Sequence, residues 1–523
     1  MNRIEGAIAT PHHLAIAAGR RIYDVGGNAV DAAIAAAAVL TVVYPHMCAL
    51  GGDLQALLAV PGMPVRALGG SGAAARAVNA AALRDKYREM PLHGVHPITV
   101  PGLVAGWGDL HAVGGRLQWR SLFDEAITLA ERGAPVAPSL GRDLKTLQSR
   151  LVIDSGMRAV FFNTDGRVLT TGETLRQPAL AASLSAIAEH GARALYAGSL
   201  SQALVCGLRA LGAPLDDDDF AAHRSEWQPP LVGSFAGFEV LTAPPVSQGF
   251  VLLQLLAALQ HAGLAGADPL GPAAATLARL CALTAEASQR NLGDPRHVDL
   301  DLATWLSPQH IARLVDTARD GRGALPSAAP RPRPDGDTVA IAAQDTDGFA
   351  VSLIQSVFHA FGAGVLEPRT GIVCHNRGAA FTLHEGPAML AGRSRPPSTL
   401  TPAMLLRDGM LEVTIGTMGG KSQPQILMQL LARMAASADA VDALAAPRWV
   451  VGGFGAAGET MVLVESSAPA VARQALHGSR LPVLTGAAFD DRAGHAQLVR
   501  RAACGTLLGA TDPRADGIAA AAD

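Results

Sequence analysis

Asp337-Thr338 is the dipeptide in this chain with the most chemical potential. It closes the run ALPSAAPRPRPDGD, four of whose residues are proline, and it opens a run of strand-forming residues. A threonine hydroxyl is a weak nucleophile and needs a base. If the peptide bond before Thr338 were cut, the freed α-amine would sit on the same residue as the hydroxyl. Such an amine has an ordinary pKa of about 7.7–8.0, well placed for a base near neutral pH. The same hydroxyl can make the cut. It would attack the Asp337 carbonyl, shift the acyl group from nitrogen to oxygen, and leave an ester for water to hydrolyse. The plainer alternative is a β-branched residue that merely begins a strand, and local sequence favours it.

Gly416-Thr417-Met418-Gly419-Gly420-Lys421-Ser422 is a second candidate. Consecutive glycines at a helix N-terminus let backbone N–H groups face an anion or an oxyanion. The segment superficially matches a phosphate-binding loop, which needs four residues between its first Gly and Gly-Lys. Gly416 and Gly420 enclose three, and Ile415 stands where the required glycine would be. An ordinary tight turn stays open. Pro396-Pro397-Ser398-Thr399-Leu400-Thr401-Pro402 presents three hydroxyls on a proline-stiffened loop, which alone reads as a turn. His12, His13, His46, His93 and His96 form no ligand pattern and read as surface or satisfied core residues; no metal and no cofactor is expected.

These groups need elements to position them. Asn28 to Val43 reads as a buried helix, with Asp31 in its first turn and Pro45 beyond its end. Leu54–Val60 and Phe238–Leu241 read as strands. Residues 119–133, 174–192, 198–212, 251–262 and 272–289 read as helices, the last with its proline at the start. Ala324–Asp337 lacks large apolar residues and reads as an exposed linker. It feeds a β-hairpin, Val339–Ala343 and Ala350–Ile354, around Asp345-Thr346-Asp347-Gly348. A second hairpin surrounds Arg407-Asp408-Gly409, and its strand Leu411–Ile415 leads through the glycine loop to a helix over 424–435.

The chain has 523 residues, room for two to four domains or one large α/β fold. With 49% apolar and 17% charged residues it can bury a large core. A net charge of −3 offers no reason to expect nucleic acid or an anionic membrane as partner. Five scattered cysteines, without CxxC, suggest neither a disulfide framework nor a zinc site. The N-terminus has no secretion pattern, and the apolar run from Ala32 to Tyr44 is short of the roughly 20 residues of a membrane span. A soluble cytoplasmic protein is the expectation.

Together the motifs resemble the γ-glutamyltranspeptidase family of N-terminal-nucleophile hydrolases, nearly end to end. The resemblance is carried by Gly26–Ala33, by Pro45-His46 with Gly51-Gly52, and by Val100–Trp107. It continues in Ala243–Gly249, Gly336-Asp337-Thr338, Asp345-x-Asp347-Gly348, Phe361–Val365 and Pro368–Ile372, and ends in Ser398-Thr399 and Gly419-Gly420. It implies a four-layer αββα sandwich, of α/β (α+β) class, built jointly by a large segment (1–337) and a small one (338–523). It implies self-cleavage between Asp337 and Thr338, after which the chains stay associated, as one pair or a dimer of pairs. It also implies that Gly419 and Gly420 supply the oxyanion N–H groups, and that Ser356 hydrogen-bonds the nucleophile.

The departures concern substrate. Positions where γ-glutamyl enzymes hold the substrate ammonium carry Phe358, Arg377 and Ala380 here. A guanidinium repels an ammonium but can hold a carboxylate through its planar fork. The alternative for Arg377 is a surface salt bridge. Ser398 and Thr399 join the expected substrate contacts, with Arg76 as the counterpart of the family's carboxylate-binding arginine. Asn376-Arg377-Gly378 and Ser352–Ser356 resemble the branch that includes oxamate amidohydrolase and cephalosporin-acylase-like proteins. The expected function is amide hydrolysis of a small carboxylate-bearing substrate through a threonine acyl-enzyme. A glutathione hydrolase or γ-glutamyltransferase, and a non-processing homologue that only binds a small acid, remain the alternatives.

Overall fold

Asn28 starts the first long helix by accepting from the Val30 and Asp31 N–H groups, while Asp31 accepts from the Asn28 N–H, a reciprocal cap. This helix, α1 (Ala29–Val43), is buried along its whole length. Its run of alanines lets strands and helices approach from every side. The computed structural model describes residues 5–321, 337–436, 439–455 and 458–517. The expected linker, apart from Asp337, lies outside the described residues.

Twelve strands form the two central sheets. In chain order they are β1 (Gly6–Ala9), β2 (Asp53–Ala59), β3 (Arg66–Gly70), β4 (Glu226–Gln228), β5 (Leu231–Phe235) and β6 (Phe238–Thr242), then β7 (Asp337–Asp345), β8 (Ala350–Phe358), β9 (Ala403–Arg407), β10 (Met410–Thr417), β11 (Ala496–Arg501) and β12 (Leu507–Thr511). The first sheet runs β1-β7-β8-β2-β3-β4 and the second β12-β11-β10-β9-β6-β5, with every pairing antiparallel. Residues before and after position 338 contribute to both sheets, so neither segment owns a core of its own.

The layers follow from which face each strand residue presents. Val339, Ile341 and Ala343 of β7 turn toward α1 in one large core. Thr338, Ala340 and Ala342 alternate to the other face, toward the second sheet. There Ala342 packs with Val499, and Ala340 and Ile354 pack with Leu400. The second sheet's outer face carries Val240, Leu405, Val413 and Ile415 against α2 (Gly249–His261), α3 (Ala274–Asn291), α4 (Pro308–Asp320) and α5 (Gln423–Ala435). The result is the expected helix–sheet–sheet–helix stack. Polar bonds stitch its middle: Ser352 donates to the Ile415 carbonyl at 2.8 Å, and Gln344 donates to Thr414 and to the Val499 carbonyl.

Both expected hairpins form. Asp345 does more than turn the first: its carboxylate accepts from the Phe349 N–H and, at 2.8 Å, from the Ala29 N–H at the start of α1. Some expected helices are shorter. The one read over 174–192 begins at Pro178, because Thr174-Leu175 pairs with Ala134-Pro135 as a short ladder. The one read over 119–133 splits into a 3-10 turn, Trp119–Leu122, and a helix, Asp124–Arg132. The helix read from Pro272 starts at Ala274 and runs on to Asn291.

Candidate active site

Thr338 sits near the start of β7, directly opposite Ser356 of β8, which is in turn opposite Asp53 of β2. Directly opposed residues of antiparallel strands share a face. A row of three polar side chains therefore crosses three strands on the face between the sheets, and all three are buried. The Thr338 hydroxyl donates to Ser356 Oγ at 3.0 Å. Ser356 in turn donates to the Asp337 carbonyl oxygen at 2.6 Å and accepts from the Phe358 N–H at 2.8 Å. The strand register breaks between Ser356 and Phe358, so that Phe358 faces Asp337 and takes a φ of 80°. A bulky residue in that region costs on the order of 1–3 kcal/mol, a cost typical of functional bulges.

Two glycine motifs support this row from behind. A Cβ on Gly52 would lie 2.6 Å from the Ser356 carbonyl oxygen, and one on Gly51 would lie 2.2 Å from that of Val373. The Gly52 carbonyl accepts from the Gly102 and Leu103 N–H groups, which docks the Val100–Trp107 motif on the same spot.

Arg377 is completely buried and is not a surface residue. Its Nε donates to Asp53 Oδ2 at 2.9 Å, its Nη2 reaches Oδ1 at 3.5 Å, and its Nη1 donates to Thr399 Oγ1 at 3.3 Å. The guanidinium lies over the Phe358 ring, 4.1 Å from its centroid. One edge of the fork is therefore committed to Asp53, and the Nη1 end faces the Ser398-Thr399 loop. The surface salt bridge that stood as the alternative for Arg377 is not formed; its ion pair is a buried one with Asp53. Ala380 closes the same 3-10 turn, Arg377–Ala380, which is strapped down by the Gly378 N–H on the Pro97 carbonyl and by Asn376 on Leu92.

Gly419 and Gly420 have φ of 136° and 52° and lead into α5 through a short 3-10 turn. A Cβ on Gly419 would meet Ile426 Cδ1 at 2.5 Å. The loop continues β10, whose Gly416 stacks on Ala340 and Ile354. Leu400 packs on the same two residues, so both loops sit over the Thr338 end of the sheet. Arg76 stands apart: its guanidinium is half-exposed and turned toward Asp216 and Asp218.

Asp53, His359 and Gln248 were not singled out in the sequence. No local signal marks Asp53: it follows Gly51-Gly52 directly, but the buried arginine that needs it as an anionic partner lies 324 positions away. His359 shares Asn376 Oδ1 and Nδ2 through its backbone N–H and Nδ1. Burial pushes its imidazole down to about 3; the Asn376 hydrogen bond opposes this, and the charges of Arg377 and Lys421 add to it. The site is thus bordered by cations and a neutral imidazole. Among the described residues no cluster of potential ligands could hold a metal ion, and no helix is long and apolar enough to cross a membrane.

Comparisons with known proteins agree on one group. The sequence model described as Gamma-glutamyltranspeptidase matches residues 15–522. The oxamate amidohydrolase proenzyme of Klebsiella pneumoniae is 36% identical, with 98% of each chain covered. The glutathione hydrolase-like YwrD proenzyme of Bacillus subtilis is 35% identical over 98% of this chain and 97% of its own. The crystal structure of cephalosporin acylase from Bacillus halodurans superposes with a TM-score of 0.88 at 30% identity, covering 100% of this chain and 97% of that one.

Proposed function

The chain belongs to the γ-glutamyltranspeptidase family, and from that premise we propose that Thr338 is the nucleophile of a self-cleaving amidohydrolase for small amides whose acyl part carries a carboxylate. One observation carries the reading: the Thr338 hydroxyl, the Ser356 hydroxyl and the Asp337 carbonyl form a continuous relay.

In the uncut chain Thr338 Oγ attacks the Asp337 carbonyl carbon. Its proton passes to Ser356, and the Ser356 proton moves to the carbonyl oxygen. Collapse re-forms the carbonyl, its proton passes to the departing nitrogen and the C–N bond breaks, leaving Asp337 as an ester on Thr338 Oγ and Thr338 with a free α-amine. Water then hydrolyses the ester and leaves segments 1–337 and 338–523, which remain together because both build each sheet.

In turnover Thr338 Oγ attacks the substrate amide, the α-amine takes its proton and returns it to the leaving nitrogen, and water resolves the acyl-enzyme. The Gly419 and Gly420 N–H groups face the oxyanion. Asp53, the acidic member of the row, is already committed to Arg377 and is not offered to a substrate ammonium. The Nη1 end of Arg377, with Ser398 and Thr399, suits a carboxylate. Lys421 and Arg377 add a favourable field for an anionic substrate.

Oxamate, the substrate in the Klebsiella relative's name, fits this description. The test is ammonia release from oxamate against nitroaniline release from γ-glutamyl-p-nitroanilide, each compared with Thr338→Ala. Thr338-dependent hydrolysis of oxamate is expected. Thr338-dependent release of nitroaniline alone would assign a glutathione-hydrolase activity instead.

A further inference from the structure

Gln248 joins the two loops that frame the site. Its Nε2 donates to the Thr399 carbonyl at 3.0 Å and to the Gly420 carbonyl at 3.1 Å, and its own N–H donates to the Ser398 carbonyl at 3.0 Å. The side chain is buried, at 5% exposure. Its neighbour Ser247 fastens the same stretch by donating to the Leu400 carbonyl at 2.6 Å, and the Ser398 N–H returns to the Val246 carbonyl. The Ser398–Leu400 backbone is thereby anchored with or without the Gln248 amide. The Gly420 carbonyl also accepts from the Gln423 N–H at the end of its 3-10 turn, so the Gln248 amide is a second hold, from the other loop, on a segment whose Gly419 and Gly420 take positive φ values that glycine adopts freely. A hydrogen bond on the Gly420 carbonyl fixes the peptide plane next to the N–H groups that face the oxyanion.

We propose that Gln248 is a positioning residue that fixes the glycine loop against the Ser398-Thr399 loop, and so sets the span between carboxylate anchor and oxyanion donors. This rests on the roles given above to Gly419, Gly420 and Arg377. That span decides how many carbons can separate a substrate's carboxylate from its reacting carbonyl. Gln248 is idle in self-cleavage, where the oxygen to be polarised, that of Asp337, is held by Ser356.

The experiment uses Gln248→Met, which keeps the volume and removes both N–H donors, in the full-length protein. Three readouts are needed: the cleaved fraction on a denaturing gel, kcat and KM for 4-nitrophenyl acetate, and kcat/KM for oxamate, malonamate and succinamate. Cleavage should be complete. kcat for the ester should fall at least about tenfold with KM within about twofold, below the 10²–10³ typical of deleting an oxyanion donor outright. Discrimination among the three amides should fall at least about fivefold. Ester kinetics and amide discrimination within about twofold of wild type would overturn the proposal, as would a folded variant that stays uncut. If Met disrupts folding, Gln248→Glu, of the same shape, is read by the same criteria. A wild type active on the ester but on none of the amides would sink the substrate reading, and the ester kinetics would still decide on Gln248.

Discussion

Ser356 Oγ lies 2.6 Å from the Asp337 carbonyl oxygen to which it donates, and 3.0 Å from the Thr338 hydroxyl that donates to it. One small hydroxyl therefore touches both the proposed nucleophile and the bond it would cut. Ser356→Ala removes the relay and leaves the carbonyl unpolarised. Self-cleavage should slow by about 10²–10³-fold, the usual effect of losing one oxyanion donor. A time course of band appearance on denaturing gels checks this, and an unchanged rate would remove Ser356 from the mechanism.

Gly52→Ala should act on the same step from outside it. The added Cβ would sit 2.6 Å from the Ser356 carbonyl oxygen, so β8 must move. Cleavage should slow at least about tenfold, which is about 1.4 kcal/mol on the barrier. Gly62→Ala, where a Cβ meets nothing within 4 Å, is the control and should cleave normally despite its φ of 75°.

How far the site was legible depends on the kind of information each residue carries. Thr338, Ser356 and the glycine loop are legible through the family resemblance of many ordered motifs; local sequence alone favours a β-branched residue that merely begins a strand. The four layers are likewise implied by the resemblance, while the nearly all-apolar helix by itself says only that it is buried. Asp53 pairs with Arg377 across 324 positions, and nothing in either neighbourhood specifies the other. The Gly51-Gly52 motif is legible as sequence, but its cause, contact with the Ser356 and Val373 carbonyls, exists only once β8 and β2 pair. Arg76 has a suitable residue type in a roughly suitable place, but nearby carboxylates, Asp216 and Asp218, draw it outward.

The Asp53–Arg377 pair should reveal itself in stability. Removing one partner strands a buried charge and costs about 3–5 kcal/mol. Asp53→Asn and Arg377→Met should each lower the denaturant midpoint clearly, and the double variant should lose less than the sum of the two. Strict additivity in this cycle would mean that the pair is not coupled. For the same variants, KM for oxamate should rise more in Arg377→Met than in Asp53→Asn.

Acid should destabilise the fold well before its carboxylates titrate. Burial pushes His46 and His359 down to about 3, and His12 and His223 to about 4, against an ordinary value of 6.5. His46 is fully buried between Tyr44 and Phe361, with neither ring nitrogen hydrogen-bonded, which departs from the satisfied core histidine expected. Because the unfolded chain takes up these protons first, stability is complete above 6.5 and declines as pH falls toward 4. Melting temperature against pH should show this slope, and His46→Phe should flatten it. An identical slope in the variant would remove His46 as a cause.

The central claim is that Thr338 makes itself N-terminal. Intact-mass measurement of the purified protein and of Thr338→Ala tests it most directly. The wild type should give two chains, 1–337 and 338–523, with Thr338 as the first residue of the second, and Thr338→Ala should give one uncut chain. An uncut wild type, or a Thr338→Ala variant cut at the same bond, would contradict it.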